Sequence, residues 1–350
     1  MNFAQAAAVL PRRARFLSSH RVAPAPVRNG LRWLALLPFL GAWPHPGTAQ
    51  VAAYPTKPVR VVVPFPPGGS VDLVARLMTD KFGESLGQQV IVDNRSGASG
   101  AIGSELVARA APDGYTLLVH TVPFVTSGFL RSQAPYDVVR DFAPVSMLTS
   151  SPAAIGVHPS LPARSVRELL KLAKARPGAL HYGTAGAGTN SHITGELFNL
   201  LGKTGLVPVH FKGGAPALTA VISGEIHVSF ANIAETMRYA TAHRLRALGV
   251  SSLTRSAMAP DLPTIAESGL PGFEFLTWHG LLAPRGTPAA VVTLLNERAK
   301  STMHSREVSQ RFQQRGIDVA TSSPEDFSAY LKSELAKWSR VIRERKLKSE

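Results

Sequence analysis

The sequence contains no cysteine, so neither a disulfide framework nor a thiolate metal site can stabilise the fold. Its first 50 residues contain no acidic residue and no lysine, and six arginines supply all of their charge. Charged residues make up only 17% of the chain, whereas hydrophobic residues make up 45%. This balance excludes a disordered chain, and the length of 350 residues leaves room for two hydrophobic cores.

The arginine-rich start is followed by the apolar run WLALLPFLGAW and the small-residue stretch GTAQ. This pattern predicts a signal peptide over residues 1–49, cleaved near Ala49, and hence a periplasmic protein. The run is short and contains Pro38, which argues against a membrane span, although a retained N-terminal anchor is the alternative. Without the six leader arginines, the formal charge of +15 falls to about +9, which favours anionic partners. Basic residues cluster with aromatic ones only near the C-terminal RVIRERKLK, which is expected to continue a solvated helix face, so no nucleic-acid partner is expected.

The motifs of nucleotide and metal enzymes fail on inspection. PPGGSVD lacks the Lys-Ser/Thr ending of a phosphate-binding P-loop, and GTAGAGTNS has Ser191 where a dinucleotide fingerprint needs its third glycine. The esterase pattern around Ser99 also fails, because Ala101 replaces the second glycine. The 11 histidines form no HExxH pattern. We therefore predict no cofactor, no metal and no catalytic residue.

Strand and helix patterns alternate along the chain, which predicts an α/β fold with a largely parallel sheet covered by helices. The buried-strand run VRVVVPF leads directly into a helix whose apolar residues have helical spacing, namely Val71, Val74, Ala75, Met78 and Phe82. A second set of units begins near residue 152. There Ser165 and Glu168 predict a capping box, and Ser323 with Pro324 predicts the start of the last helix.

Three glycine-rich turns connect a predicted strand to a predicted helix: PFPPGGS, NRSGASGAIGS and YGTAGAGTNSH. In a parallel sheet, ligands bind at the carboxyl ends of the strands, where helix N-termini present unpaired N–H groups and partial positive charge. A single turn of this kind is commonly just a tight connection. Three of them favour a cleft that binds a carboxylate or phosphate through main-chain donors.

Several ordered blocks of sequence carry a family resemblance: YPTKPVRVVVPFPPGGSVD, GQQVIVDNRSGASGAIGSELVARAAPDGYTLL, YDVVRDFAPVS, YGTAGAGTNSH, HFKGGAPAL, LPTIAESGLPGFEF and WHGLLAPRGTP. Through these blocks the chain resembles the Bug-type solute-binding proteins, the extracytoplasmic receptors of tripartite tricarboxylate transporters. The resemblance implies a Venus-flytrap fold, that of a type II periplasmic binding protein, with two α/β domains joined by two crossover strands. The chain departs from the family pattern at His120, where a small residue is common, and at His227, where an acidic residue is usual.

The resemblance and the turns together predict the ligand-binding residues. These are Phe65, Pro67, Gly68, Gly69, Ser70, Ser99, His120, Thr121, Thr184, Gly186, Gly188, Thr189, Asn190 and His192. Other polar residues have simpler interpretations. Asp72 lies in the first turn of its helix and is expected to cap it, Trp278 is expected in the core, and Lys212 is expected to be solvated.

The sequence therefore predicts a monomeric solute-binding receptor for a small organic acid, with the membrane components of a tripartite tricarboxylate transporter as partners. The acid could be a di- or tricarboxylate, an amino acid or an aromatic acid, and the sequence leaves this choice open. Domain 1 is expected to comprise residues 50–153 and 276–350, and domain 2 residues 154–275. The alternatives are a ligand sensor for a signalling partner and an exported hydrolase, although no nucleophile and base have a convincing spacing.

Overall fold

The computed structural model describes Ala23 and residues 54–130 and 135–347. Apart from Ala23, the predicted signal peptide lies outside the described residues. No helix in the described part of the chain is long and apolar enough to cross a membrane.

The described residues form strands and helices that alternate along most of the chain. The strands are β1 Val59–Val63, β2 Val90–Asn94, β3 Thr116–Thr121, β4 Phe142–Val157, β5 His181–Thr184, β6 Val207–His210, β7 Val228–Asn232, β8 Arg246–Val250, β9 Leu276–Pro284 and β10 Asp318–Val319. The α-helices are α1 Ser70–Leu86, α2 Ala101–Ala108, α3 Pro123–Leu130, α4 Val166–Ala175, α5 Asn190–Gly202, α6 Gly214–Ile222, α7 Ile233–Thr241, α8 Ala289–His304, α9 Arg306–Gln313 and α10 Pro324–Glu344. A short 3₁₀ helix, Ala98–Gly100, precedes α2.

The strands form one curled sheet in the order β2-β1-β3-β9-β4-β7-β5-β6, with β8 and β10 also paired to β4. Strand β4 belongs to both halves of the sheet, because residues 142–152 pair with β9 and residues 153–157 pair with β7 and β8. Two parallel groups, β2-β1-β3 and β7-β5-β6, therefore lie on opposite sides of the long β4–β9 pair.

Local sequence explains the helices that frame these groups. All five apolar residues predicted for α1 are buried against the face of β1 that carries Val61 and Val63. Helix α1 ends at Gly87, whose φ of 68° is a left-handed conformation that glycine adopts without strain. Helix α10 begins as predicted, since the Ser323 hydroxyl accepts the Asp326 N–H at 3.0 Å.

The α/β class is confirmed, with one difference in the sheet. We expected a largely parallel sheet, but β4 and β9 are antiparallel to each other and to their other neighbours. Such long antiparallel strands connect the two parallel groups, and strand-to-helix periodicity does not encode their direction. The expected boundaries at residues 153 and 275 fall where β4 changes partners and just before β9 begins, and they remain predictions.

Candidate functional site

A cavity of about 740 Å³ is lined by residues of both parallel groups and of the long β4–β9 pair that joins them. Its wall contains segments that follow the strands of both groups: the β1–α1 turn, the start of α3, the turns before α5 and α6, and the β7–α7 connection. Residues of β4 and β9 form the rest, among them Ser151, Thr277 and His279. Carboxyl ends of parallel strands are where α/β proteins bind ligands, so this cavity is the candidate site.

Helix α1 presents an open N-terminus to the cavity. Gly69, its N-cap residue, is extended, with φ of −74° and ψ of 170°, and no side chain caps the helix. The Leu73 N–H donates to the Gly69 carbonyl oxygen at 2.9 Å. The N–H groups of Ser70 and Val71 precede that bond and have no intrahelical acceptor. Both residues line the cavity, so their donors and the positive end of the helix dipole are available to an anion.

Asp72 organises the turn that precedes this helix. Its buried carboxylate accepts the Gly68 N–H at 2.8 Å, the Asn94 side-chain amide at 2.9 Å and the Arg76 guanidinium at 2.9 Å. Burial alone would raise the pKa of Asp72, but the hydrogen bonds from Arg76, Gly68 and Asn94 hold it below the ordinary value. The Gly68 N–H, which the sequence assigned to the ligand, is therefore already used inside the protein.

Helix α5 presents a second open N-terminus to the same cavity. Its N-cap residue Thr189 is extended, with φ of −72° and ψ of 165°, and no side chain caps the helix. The Ile193 N–H donates to the Thr189 carbonyl oxygen at 2.9 Å, which leaves the N–H groups of Asn190 and Ser191 without an intrahelical acceptor. Thr189, Asn190 and Ser191 all line the cavity.

The rest of the second turn is held by its own hydrogen bonds. The Gly188 N–H donates to His192 Nδ1 at 2.9 Å, and the Gly186 N–H donates to the Thr184 hydroxyl at 3.2 Å. Burial lowers the pKa of His192 to about 4, so the ring is neutral at neutral pH and can accept at Nδ1. These amides therefore fix the shape of the turn, whereas the first-turn amides of α5 remain available.

The structure brings half of the predicted site residues to the cavity wall. Those that line it are Phe65, Gly68, Gly69, Ser70, Thr121, Thr189 and Asn190, and those that do not are Pro67, Ser99, His120, Thr184, Gly186, Gly188 and His192. Ser99 is exposed in the 3₁₀ helix, and the turn NRSGASGAIGS contributes no lining residue in the described part of the chain. Ligand contact by any of these residues remains a prediction.

Neither of the two histidines that depart from the family pattern lines the cavity in the described structure. The His120 ring is completely buried and packs against Phe65 and Phe124, with ring centroids 5.2 Å and 5.3 Å away. Burial lowers its pKa to about 3, so it is neutral and supports the lining residue Phe65. His227 stacks on His181 and is not a lining residue in the described structure.

Sequence reasoning missed the lining residues on β4, on β9 and after β7. Ser229 lies near the start of β7 and Asn232 at its carboxyl end, whereas Glu235 lies in the first turn of α7; β7 is the parallel neighbour of β5. His279 comes from β9, and its Nδ1 lies 2.8 Å from the Thr149 hydroxyl. The rule for carboxyl ends of strands could have indicated Asn232 and Glu235, because they follow directly on the apolar run of β7. No sequence signal indicated His279.

No group of three or more histidine, aspartate or glutamate side chains is placed to hold a metal ion among the described residues. The cavity instead offers two uncapped helix N-termini, hydroxyl groups and apolar surface. Together with the curled sheet and its two parallel groups, this arrangement defines a solute-binding protein of the periplasmic binding protein class.

Comparison with known proteins identifies the family. The family described as tripartite tricarboxylate transporter family receptor matches residues 74–347. A protein in the tcbD-tcbE intergenic region of Pseudomonas sp. (strain P51) is 40% identical over 85% of this chain and 89% of its own. The chain therefore belongs to the tripartite tricarboxylate transporter receptor family and is a solute-binding receptor, as the sequence resemblance predicted.

Solved structures confirm the fold. The chain resembles R. palustris Rpa4515, solved with adipate, with a TM-score of 0.74 and 34% identity over 85% of this chain and 100% of that one. It resembles the periplasmic binding protein BugD with a TM-score of 0.72 and 32% identity, over 85% of this chain and 100% of that one. The Venus-flytrap fold expected from the sequence is thus confirmed.

Proposed function

We propose that this receptor captures a small organic carboxylate in the cavity between β1–β3 and β5–β7. The observation that carries the proposal is that the N-termini of α1 and α5, neither capped by a side chain, line one cavity. Charge-assisted hydrogen bonds contribute roughly 1.5–3 kcal/mol each. A few of them offset the cost of ordering the ligand and give micromolar affinity, about −8 kcal/mol.

In this proposal the two helix N-termini belong to different domains. Domain 1 comprises residues 50–153 and 276–350, and domain 2 comprises residues 154–275, with β4 and the chain entering β9 as the crossings. A carboxylate held by both N-termini would favour the closed arrangement, because it contacts both domains only there. The adipate-containing relative supports an acid as ligand.

The receptor is proposed to act in the periplasm, after cleavage of the signal peptide near Ala49, and to deliver its ligand to the membrane subunits of a tripartite tricarboxylate transporter. A binding role without catalysis is supported by the polar groups of the cavity. His279 has its Nδ1 at the Thr149 hydroxyl, and the Ser229 hydroxyl donates to the Gly156 carbonyl oxygen. Thr149 is buried and does not line the cavity, and the Ser229 hydroxyl donates to a carbonyl oxygen and not to a base, so neither hydroxyl is presented to a ligand as an activated nucleophile in the described part of the wall.

A thermal-shift and calorimetric screen tests this function with each acid beside its own amide. Mono-, di- and tricarboxylates, amino acids and aromatic acids are compared with the neutral amides of the same skeletons. An acid present at 100 times its Kd should raise the free energy of unfolding by about 2.7 kcal/mol, and its amide should not. Equal stabilisation by acids and amides would contradict anion capture.

A further inference from the structure

The charge in the cavity wall is opposite to what a second ligand carboxylate would require. Among the described lining residues, Glu235 is the one acidic or basic side chain, and no lysine or arginine accompanies it. His279 adds no positive charge at neutral pH, because burial lowers its pKa to about 4. Lys212 adjoins the lining residue Gly213 in sequence but is exposed and does not line the cavity.

The Glu235 carboxylate is not needed to build helix α7. Asn232 already caps that helix, since its side-chain oxygen accepts the Ala234 N–H at 2.8 Å. Arg238 lies one turn further along, but its guanidinium donates to the Tyr239 hydroxyl at 3.0 Å and stacks on that ring. Among the described residues, Glu235 has no hydrogen bond and no ion pair within 4.0 Å. Glu235 lines the cavity and its side chain is exposed there. Partial desolvation raises its pKa above the ordinary value, and the positive charge of Arg238 offsets only part of that rise.

The strand pairing places Glu235 at the same edge of the sheet as the N-terminus of α5. Strands β5 and β7 are parallel neighbours, with Tyr182 opposite Val228 and Gly183 opposite Ser229. Their backbones are therefore about 5 Å apart, and α5 and α7 both follow the carboxyl ends of these strands, at the same edge of the sheet. One part of the cavity thus attracts negative charge, whereas the part at Glu235 attracts positive charge.

His279 supplies a second polar group that lacks a protein partner. It is 3% exposed, its ring forms part of the wall, and its Nε2 has no hydrogen-bond partner among the described residues. If the Thr149 hydroxyl donates to Nδ1, the Thr149 proton is satisfied and Nε2–H alone is left over. If instead Nδ1–H donated to the Thr149 hydroxyl, both the Thr149 proton and the Nε2 lone pair would lack a partner. His279 is paired with Thr121 of β3, on the α1 side of the cavity, so it adds a donor to the end that attracts anions.

We infer that the ligand is an amino carboxylate, whose carboxylate binds at the first turns of α1 and α5 and whose ammonium group pairs with Glu235. The inference rests on the proposed function and narrows its ligand class. A dicarboxylate would place its second negative charge near Glu235 with no cation among the lining residues. Apolar lining residues, including Leu218, Phe230 and Phe275, contact the hydrocarbon chain between the two charges.

Two length-matched sets of acids test this inference on the mature protein by calorimetry: hexanoate, 6-aminohexanoate and adipate, and butyrate, 4-aminobutyrate and succinate. Within a set, the carboxylate is constant and the distal group is neutral, positive or negative. In at least one set, the amino acid should bind about tenfold or more tightly than the monocarboxylate, and the dicarboxylate most weakly.

Variants locate the effect at Glu235. Glu235→Gln should abolish the preference for the amino acid, and Glu235→Lys should reverse it towards the dicarboxylate. Glu225→Gln is the matched control, because Glu225 is an exposed acid that does not line the cavity. It should leave every affinity unchanged. The melting temperatures of the Glu235 and Glu225 variants should match that of the wild type, because both side chains are exposed.

The outcomes separate the inference from the function on which it rests. If no acid in the screen binds, carboxylate capture itself fails. If acids bind but the dicarboxylate is preferred, or if Glu235→Gln keeps the wild-type preference, the pairing of Glu235 with an ammonium group is wrong and carboxylate capture stands.

Discussion

Replacing Ser70 by proline removes a single backbone donor from the first turn of α1. The local geometry already suits proline at this position. Gly69 is extended, with φ of −74° and ψ of 170°, as a residue before proline prefers, and Ser70 is the first residue of the helix. The Ser70 N–H makes no intrahelical bond, because the first such bond is donated by Leu73. The substitution therefore removes no hydrogen bond from the helix.

The magnitude follows from the kind of bond that would be lost. A backbone N–H donating to a carboxylate contributes roughly 1.5–3 kcal/mol, so Ser70→Pro should weaken binding by roughly 10- to 150-fold. Ser70→Ala is the control, because it removes the hydroxyl and keeps the N–H. Calorimetry with an acid identified in the screen gives the Kd of each variant, and thermal unfolding should show that both remain folded.

Comparison of Ser70→Pro with Ser70→Ala shows whether the Ser70 N–H binds the ligand. If Ser70→Pro folds and binds like Ser70→Ala, the amide of α1 is not a ligand donor and the reasoning from helix N-termini is refuted. The same pair of substitutions applies to α5, as Asn190→Pro and Asn190→Ala. There the alanine variant also accounts for the side-chain bond from Asn190 to the Thr277 hydroxyl, 3.1 Å long.

Three further predictions concern stability, each measured by chemical denaturation. Gly280→Ala should lower the free energy of unfolding by about 1–3 kcal/mol, because the new Cβ would lie 2.1 Å from Phe327 Cζ; unchanged stability would contradict this packing. Arg345→Met should cost about 3 kcal/mol, since it removes the ion partner of the buried Glu196 carboxylate at 2.6 Å, and adding Glu196→Gln should recover part of the loss. Burial lowers the pKa of His120 to about 3, so the unfolded chain binds its proton more readily and stability should fall as pH drops below about 6.5, by roughly 2 kcal/mol at pH 5 from this group alone. His120→Asn cannot be protonated and should reduce the difference between pH 7 and pH 5; an unchanged difference would contradict the assignment.

Elements set by local sequence could be predicted, and their details depended on neighbouring side chains. The buried stripe of α1 and the Ser323 cap are confirmed because spacing and hydrogen-bonding capacity are local properties. The predicted capping box is present in altered form. The Ser165 hydroxyl accepts the Glu168 N–H at 3.2 Å. The Glu168 carboxylate, however, accepts the backbone N–H of Arg164 at 2.6 Å instead of the backbone N–H of Ser165.

The site was predictable to the level of the turn and not to the level of the atom. Two of the three glycine-rich turns line the cavity, but Asp72 and His192 each accept a glycine N–H four residues before them. Those side chains fix the turns and move the available donors into the first turn of each helix. Glu235 and His279 reach the cavity through pairing of strands distant in sequence, which no local pattern specifies.

The proposed separation of main-chain donors from side-chain selectivity would let one fold bind different acids. Donors from the main chain of α1 and α5 do not depend on side-chain identity, so they can retain a carboxylate while the lining side chains change. Discrimination must then come from the remaining wall, where a charge that faces the distal group of the ligand attracts one class and repels another. Glu235 is the one charge of that kind among the described lining residues. Changing it should therefore change which acid is preferred, whereas changing the first-turn amides should weaken all acids alike.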